Sequence, residues 1–171
     1  ERSRGLGDVY KRQGYLSARD YREFVQPYST RIFDTMRAYG IPMIHFGVGT
    51  GELLGDMALA GPDVVGVDWR VPMDSAAARI SAALQEADPV AEPGTRAKTL
   101  QGNLDPAVLF AGPDVAAEQI TRICAEADRA IDRGQARGHI FNLGHGVLPN
   151  TDPDAITRAF EEVHKLSLIH I

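Results

Sequence analysis

Apolar residues in the first part of the chain follow a helical spacing. They recur at intervals of three and four residues, at Tyr21, Phe24, Val25, Tyr28, Ile32 and Met36. Ser17 with Asp20 three residues later is typical of a helix start, where both residues cap free backbone N–H groups. Pro27 suits the first turn of a helix but not its interior, so we expect two consecutive helices that end at Gly40.

Further along, short apolar runs alternate with helical segments. The runs predict four strands, at residues 41–46, 63–69, 99–103 and 139–143. We expect helices between them at about 52–59 and 74–86 and from Asp114 to Gly134, and a last helix after Pro153 that carries Ile156, Phe160 and Val163. Strands joined by helical crossovers indicate an α/β fold with a parallel sheet. Four such units form half of an eight-unit barrel or a small open sheet, and the pattern does not choose between them.

The longest predicted helix lies between the third and fourth strands. We expect Asp114 to cap it, Gly134 to end it, and a buried stripe to run through Ile120, Ile123, Ala127 and Ile131. Cys124 lies beside that stripe, so we interpret it as a buried structural thiol. As the one cysteine in the sequence, it excludes an internal disulfide and a multi-cysteine metal site, and it fits a reducing compartment.

Composition and charge narrow the classes of function. The hydrophobic fraction of 44% and the charged fraction of 24% are ordinary for a globular protein. No apolar run approaches the length of a membrane span and no leader pattern opens the chain, so we expect a cytoplasmic protein. The net charge of −5 gives no indication of binding to nucleic acid or to an anionic membrane surface.

The two ends of the chain differ from its middle. Residues 8–13 (DVYKRQ) can be encoded by GATGTGTATAAGAGACAG, and residues 166–171 (LSLIHI) by its reverse complement. That DNA resembles the transposon end used to prepare sequencing libraries. We therefore expect residues 1–13 and 166–171 to be translated adapter, and residues 14–165 to be the native part of one domain. Since residues 1–13 carry four basic and two acidic side chains, the remainder has a net charge of −7.

A glycine-rich turn follows the first predicted strand. The residues IHFGVGTG occupy 44–51, and Asp68 ends the next strand. This is the layout of a nucleotide or S-adenosylmethionine site, in which glycines admit the ligand and the later acid accepts ribose hydroxyls. On these residues alone, a methyltransferase that uses S-adenosylmethionine at the Gly47–Gly51 turn is the favoured interpretation. Such turns are common in α/β proteins, however.

Motifs further downstream change that interpretation. QGNLDP at 101–106 ends the third predicted strand, and NLGHGVLP at 142–149 ends the fourth. They resemble the uroporphyrinogen decarboxylase family, which has G-N-x-D-P and N-L-G-H-G-x-x-P in this order and at about this distance. GVDW at 66–69 and GYLSARDY at 14–21 are similar to further family segments. Each motif is weak by itself, but four in order cover the whole of the expected native part.

The resemblance implies a fold and a site. The family fold is a TIM (β/α)8 barrel, so this chain should supply its C-terminal half, about four βα units. Barrel enzymes hold their active sites at the C-terminal ends of the strands. The family's active-site histidine lies in the Gly-His-Gly motif, which implies that His145 is catalytic and binds the substrate. We expect the glycines on both sides, Gly144 and Gly146, to be required for a tight turn.

Other polar residues near the strand ends are open to more than one role. Asp68 and Trp69 could line the barrel mouth or fill it, and Asn103 is undecided. Asp105 before Pro106 is interpreted as a helix cap. His45, on a strand predicted to be buried, is interpreted as a core histidine.

The resemblance also implies the chemistry. The family removes the carboxyl groups of the four acetate side chains of uroporphyrinogen III, giving coproporphyrinogen III for haem and chlorophyll synthesis. No metal or organic cofactor is expected, because a protonated pyrrole accepts the electrons that the departing CO2 leaves. His145 would hydrogen-bond an acetate or help move protons, with the proton donor open.

The family's arginine-rich motif, aspartate and tyrosine lie in its other half, so we expect this chain alone to be inactive. Homodimers are common in the family, and a full-length homodimer is allowed.

Two more interpretations stay open at this point. A corrinoid-linked methyltransferase of the same superfamily would hold zinc through a histidine and cysteines, but no cysteine follows His45 closely. The second is a barrel that binds a tetrapyrrole without converting it. Such a protein would differ from an active decarboxylase in residues that lie outside this chain.

Overall fold

Helices and strands alternate along the computed structural model, which describes residues 15–92 and 96–166. In chain order they are α1 (Ala18–Phe24), α2 (Gln26–Arg37), β1 (Ile44–Phe46), α3 (Leu54–Leu59), β2 (Val64–Gly66), α4 (Met73–Ala87), β3 (Lys98–Leu104), a 3-10 helix (Pro106–Phe110), α5 (Pro113–Asp132), β4 (Ala136–Leu143) and α6 (Pro153–Leu166). The expected adapter segments lie outside the described residues, except for Leu166 at the end of α6.

The four strands form one parallel sheet in the order β1-β2-β3-β4. Each strand therefore pairs with the strand that precedes it in the chain, and a helical connection separates them. This confirms the α/β class and the parallel sheet. Sequential order is also that of neighbouring strands in a TIM barrel, so the described part contains four consecutive βα units.

Helices α4, α5 and α6 cover the sheet with apolar side chains. On α5 the fully buried positions include Ile120, Ile123 and Ala130, and Ala127 is nearly so. Ile131 was predicted to belong to this stripe, and that prediction is wrong, because it is exposed. The stripe is centred on the side of Ala130, which leaves Ile131 at its margin.

The ends of α5 show one correct and one wrong prediction. Its N-cap is Gly112, whose φ of 96° suits glycine, and Pro113 begins the helix. Asp114 therefore does not cap the helix but lies in its first turn, where a negative charge is favourable. At the other end, Gly134 has a φ of 67° and donates its N–H to the Ile131 carbonyl oxygen at 2.8 Å, as expected for a helix stop.

The start of the described chain follows its prediction closely. The Ser17 hydroxyl accepts a hydrogen bond from the Asp20 N–H at 3.1 Å, which caps α1. Pro27 lies in the first turn of α2, so the two predicted helices are confirmed.

Several apolar side chains on β1 and on three helices are more exposed than their sequence pattern predicts. Strand β1 is shorter than 41–46, and Ile41 and Ile44 are exposed because β1 is the edge of the described sheet. Several apolar residues of α1 and α2 are exposed too, among them Phe24, Tyr28 and Ile32. On α6, Phe160 is exposed and Ala159 is buried instead. The described part thus leaves apolar surface uncovered beside β1. None of the helices within residues 15–92 and 96–166 has the length and apolar character to cross a bilayer.

Candidate active site at the strand ends

Polar and aromatic side chains collect where the strands end. Asp68, Trp69 and Arg70 follow β2, Asn103 lies near the end of β3, and His145 follows β4. We call these five residues the strand-end cluster. The carboxyl ends of parallel strands meet at one edge of a sheet, so the cluster occupies the position where barrel enzymes hold their active sites.

Asp68 connects the ends of β1 and β2. Its side chain is only 2% exposed, and its carboxylate accepts hydrogen bonds from the Gly49 N–H and, at 2.9 Å, from the Arg70 N–H. The Arg70 guanidinium also donates to it, at 3.1 Å. Three donors from the protein therefore occupy this buried carboxylate. Because so little of the Asp68 side chain is accessible, the structure gives no support to the S-adenosylmethionine interpretation, in which this carboxylate accepts ribose hydroxyls.

Asn103 holds the segment that follows β2. It is buried, and its Nδ2 donates to the carbonyl oxygens of Asp68 at 2.9 Å and of Val71 at 2.6 Å. Just before it, a Cβ on Gly102 would lie 2.5 Å from the Val67 carbonyl oxygen. Asn103 therefore positions the β2 end, and glycine at 102 permits the close approach of β2 and β3.

His145 packs against Trp69. Their ring centres are 5.9 Å apart at an interplanar angle of 83°, an edge-to-face arrangement. The imidazole is half-buried, and its Nδ1 lies 3.4 Å from the Gly146 carbonyl oxygen, a long contact. Trp69 thus orients the ring while one side of it stays open.

The two glycines beside His145 differ in their importance. A Cβ on Gly144 would lie 2.5 Å from the Trp69 backbone nitrogen, so glycine is required there. A Cβ on Gly146 would have nothing within 4 Å, and its φ is not in the left-handed region. The predicted need for glycine on both sides is therefore right for Gly144 and wrong for Gly146.

Arg70 is the member of the cluster that no sequence motif indicated. Its guanidinium carbon lies 4.0 Å from the centre of the Trp69 ring, and its side chain is 52% exposed. The sequence offered one indication of a role for Arg70, namely its position directly after a strand that ends in Asp-Trp. An arginine at such a place is common, so position alone carried little weight.

Two other histidines lie away from the cluster. His45 is buried, with its ring beside Phe33 and its Nδ1 3.3 Å from the Met57 carbonyl oxygen. His139 has its Nε2 2.7 Å from the Gly102 carbonyl oxygen. Burial lowers the pKa of both imidazoles. The interpretation of His45 as a core histidine is confirmed by this placement.

Asp105 and Cys124 are two further residues for which a structural role was predicted. The Asp105 side chain accepts a hydrogen bond from the Ala107 N–H at 2.9 Å and caps the 3-10 helix, so its predicted role is confirmed. Cys124 was predicted to be buried, but it is only half-buried on α5, at the margin of the buried stripe; this partial burial raises the pKa of its thiol. In the portions at 15–92 and 96–166, no cluster of three or more histidine, cysteine or acidic side chains is placed to bind a metal.

Comparison with known proteins identifies the family. The model for uroporphyrinogen decarboxylase (URO-D) matches residues 6–166. The uroporphyrinogen decarboxylases of Corynebacterium diphtheriae and Rhodococcus erythropolis are both 62% identical to the chain, over 88% and 90% of its length. That of Nocardia farcinica is 57% identical over 90%. The chain spans 39% of the length of each of these relatives, and four βα units fit such a part of a TIM barrel. The chain belongs to the uroporphyrinogen decarboxylase family.

Proposed function

We propose that the protein to which this chain belongs is a uroporphyrinogen decarboxylase, a carboxy-lyase of porphyrin synthesis. It would remove the carboxyl groups of the four acetate side chains of uroporphyrinogen to give coproporphyrinogen. The observation that carries this proposal is the family match over residues 6–166, which includes the motif around His145. The strand-end cluster supports it, because it brings His145 to the edge where a barrel enzyme would bind its substrate.

The proposed chemistry needs an electron acceptor next to the bond that breaks. A ring carbon of the pyrrole is protonated first, and when the acetate then loses CO2, the electron pair of the broken C–C bond passes into the ring and leaves an exocyclic methylene. The methylene takes up a proton to become the methyl group, and the ring carbon loses its proton, which restores the pyrrole. The pyrrole therefore does the work for which other decarboxylases use a metal or an organic cofactor. The protein has to hold the anionic side chains and stabilise the positive charge that develops on the ring.

His145 is the residue of this chain that we propose to be catalytic and substrate-binding. A half-buried imidazole whose orientation is set by Trp69 can donate a ring N–H to an acetate carboxylate or move a proton. We assign it that supporting role, and we assign the donor of the proton at the ring carbon to no residue of this chain.

The chain alone should not complete an active site. It spans 39% of its relatives, and its net charge of −5 opposes a substrate with several carboxylates. We propose that basic residues elsewhere in the full-length protein offset this charge. A cytoplasmic location, a full-length homodimer and the absence of nucleic-acid or membrane partners are also proposals, which rest on the family resemblance and the composition.

A chimeric enzyme tests the proposed function. Residues 14–165 replace the aligned segment of the Corynebacterium diphtheriae relative, which shares 62% identity with the chain. We expect the chimera to convert uroporphyrinogen to coproporphyrinogen, measured by chromatography of the oxidised porphyrins. His145→Asn should lower kcat by about 10- to 100-fold. His164→Asn, an exposed position on α6, is the control and should leave kcat unchanged.

Two results would contradict these proposals separately. A folded but inactive chimera, beside an active parent enzyme, would refute the decarboxylase function. An active chimera in which His145→Asn and His164→Asn have equal kcat would leave the function standing and refute the role of His145.

The limits of the native domain are a separate proposal. We propose that residues 14–165 are the native part and that both ends are translated adapter, supported by the reverse-complementary codons at 8–13 and 166–171. Amplification from the source DNA with a primer inside residues 14–165 should yield upstream sequence that does not encode DVYKRQ. Recovery of that segment in continuous genomic sequence would refute the proposal.

A further inference from the structure

Arg70 is held in a fixed orientation at the carboxyl end of β2. Its guanidinium stacks over the Trp69 ring at 4.0 Å, and Nη1 donates to the Asp68 carboxylate at 3.1 Å. The stacking fixes the plane of the guanidinium, and the ion pair fixes one of its edges. Because the side chain is still 52% exposed, other N–H donors of this group remain open to a ligand.

The position of Arg70 relates it directly to His145. The Trp69 ring centre is 4.0 Å from the guanidinium carbon and 5.9 Å from the imidazole centre. Two groups that border one ring in this way lie within about 10 Å of each other. A substrate that contacts His145 and carries several carboxylates around a ring can therefore place one of them at Arg70.

A second arginine, Arg22, also pairs with a largely buried carboxylate but does not belong to the strand-end cluster. Arg22 on α1 donates its Nε to Asp56 at 2.7 Å, and the carboxylate side chain is 8% exposed. The carboxylate of Asp68, which pairs with Arg70, is likewise buried. Both arginines therefore neutralise an acid that is largely removed from water. Arg22 is outside the strand-end cluster, which makes it a natural control for a purely structural arginine.

We propose that Arg70 is a substrate-binding residue, which takes a side-chain carboxylate of the porphyrinogen in a charge-assisted hydrogen bond. The planar guanidinium fork of an arginine carries a positive charge and matches the geometry of a carboxylate. The contacts with Trp69 and Asp68 reduce the freedom that the side chain would lose on binding. This inference rests on the proposed function, and it adds a positively charged contact to a chain with an excess of acid.

The experiment compares three substitutions in the chimera described above. Arg70→Gln removes the charge, Arg70→Lys keeps the charge without the fork, and Arg22→Gln breaks the control ion pair. We measure kcat and KM for uroporphyrinogen, the dependence of kcat/KM on sodium chloride, and the melting temperature. Arg70→Gln should raise KM by about ten-fold, change kcat by less than about two-fold, and weaken the salt dependence. Arg70→Lys should raise KM by about three-fold.

Arg22→Gln should lower the melting temperature and leave KM and the salt dependence unchanged, because only structure is affected. An active chimera in which Arg70→Gln has the KM and salt dependence of Arg22→Gln would overturn the inference and leave the proposed function intact. A folded, inactive chimera would overturn both. If Arg70→Gln does not fold, Arg70→Lys decides: a raised KM supports the inference, and the KM of the unsubstituted chimera overturns it.

Discussion

A methyl group added at Gly144 would collide with the backbone of Trp69. The Cβ of alanine at this position would lie 2.5 Å from the Trp69 nitrogen, and 3.0 and 3.1 Å from the Cβ and Cα of the same residue. Ordinary contacts of a Cβ lie at 3.4–4 Å. On the other side, the Gly144 N–H donates to the Leu104 carbonyl oxygen at 2.7 Å, which holds β4 in place. Relief of the collision therefore requires the backbones to separate by about 1 Å.

The size of the expected effect follows from that displacement. Backbone atoms cannot rotate away as a flexible side chain can, so Gly144→Ala should cost about 1–3 kcal/mol of stability, the usual range for overpacking. The same shift moves Trp69 away from His145, and a misplacement of about 1 Å in an active site can lower the rate about 100-fold. We expect both effects in the chimera, measured as the free energy of unfolding in urea and as kcat for uroporphyrinogen.

Gly146→Ala is the matched control. It adds the same methyl group two residues away, where nothing lies within 4 Å, and should change stability by less than about 0.5 kcal/mol. If Gly144→Ala kept the stability and kcat of the unsubstituted chimera, the close approach of β4 to Trp69 would be refuted. Equal damage from both substitutions would show that the turn, and not the Trp69 contact, is sensitive.

Three more outcomes are expected. The 171-residue chain alone should show no decarboxylase activity and should self-associate in sedimentation velocity, because apolar residues beside β1 are exposed; a monomeric, cooperatively melting sample would contradict this. Cys124 should react with iodoacetamide more slowly in the folded chimera than in denaturant, since burial raises the pKa of its thiol. Burial lowers the pKa of His45 and His139 in the folded state, so below about pH 6.5 the unfolded state binds more protons and the stability of the chimera should fall; urea midpoints that are equal at pH 7.5 and 5.5 would contradict this.

Features decided by one or two neighbouring residues could be predicted from the sequence. Ser17 and Asp105 cap the helices they precede, and Gly134 ends α5, because each interaction needs only local backbone geometry. Asp114 failed as a cap since Gly112 and Pro113 begin the helix before it. Burial was harder to predict, because Ile44 is covered only if another element packs beside β1.

The site was predictable to a smaller extent. His145 was predicted to be a site residue because its motif resembles a family motif, and the structure places it at the sheet edge because it follows β4. Arg70 was missed since its significance lies in its stacking on Trp69 and its distance from His145, which no spacing in the sequence encodes. Asn103 stayed undecided for the same reason, because its two acceptors are carbonyl oxygens more than thirty residues away.

The glycine-rich turn after β1 shows why a motif can be present without its usual ligand. In a nucleotide site, backbone N–H groups of the turn face the ligand and the acid at the next strand end accepts its ribose hydroxyls. Here the Gly49 N–H donates to the Asp68 carboxylate, so the two halves of the motif satisfy each other. The Asp68 side chain is only 2% exposed and its carboxylate already accepts three hydrogen bonds, so little of it is accessible to a ligand. The arrangement therefore favours a rigid connection between β1 and β2, which in turn fixes Trp69 and the side chains that border it.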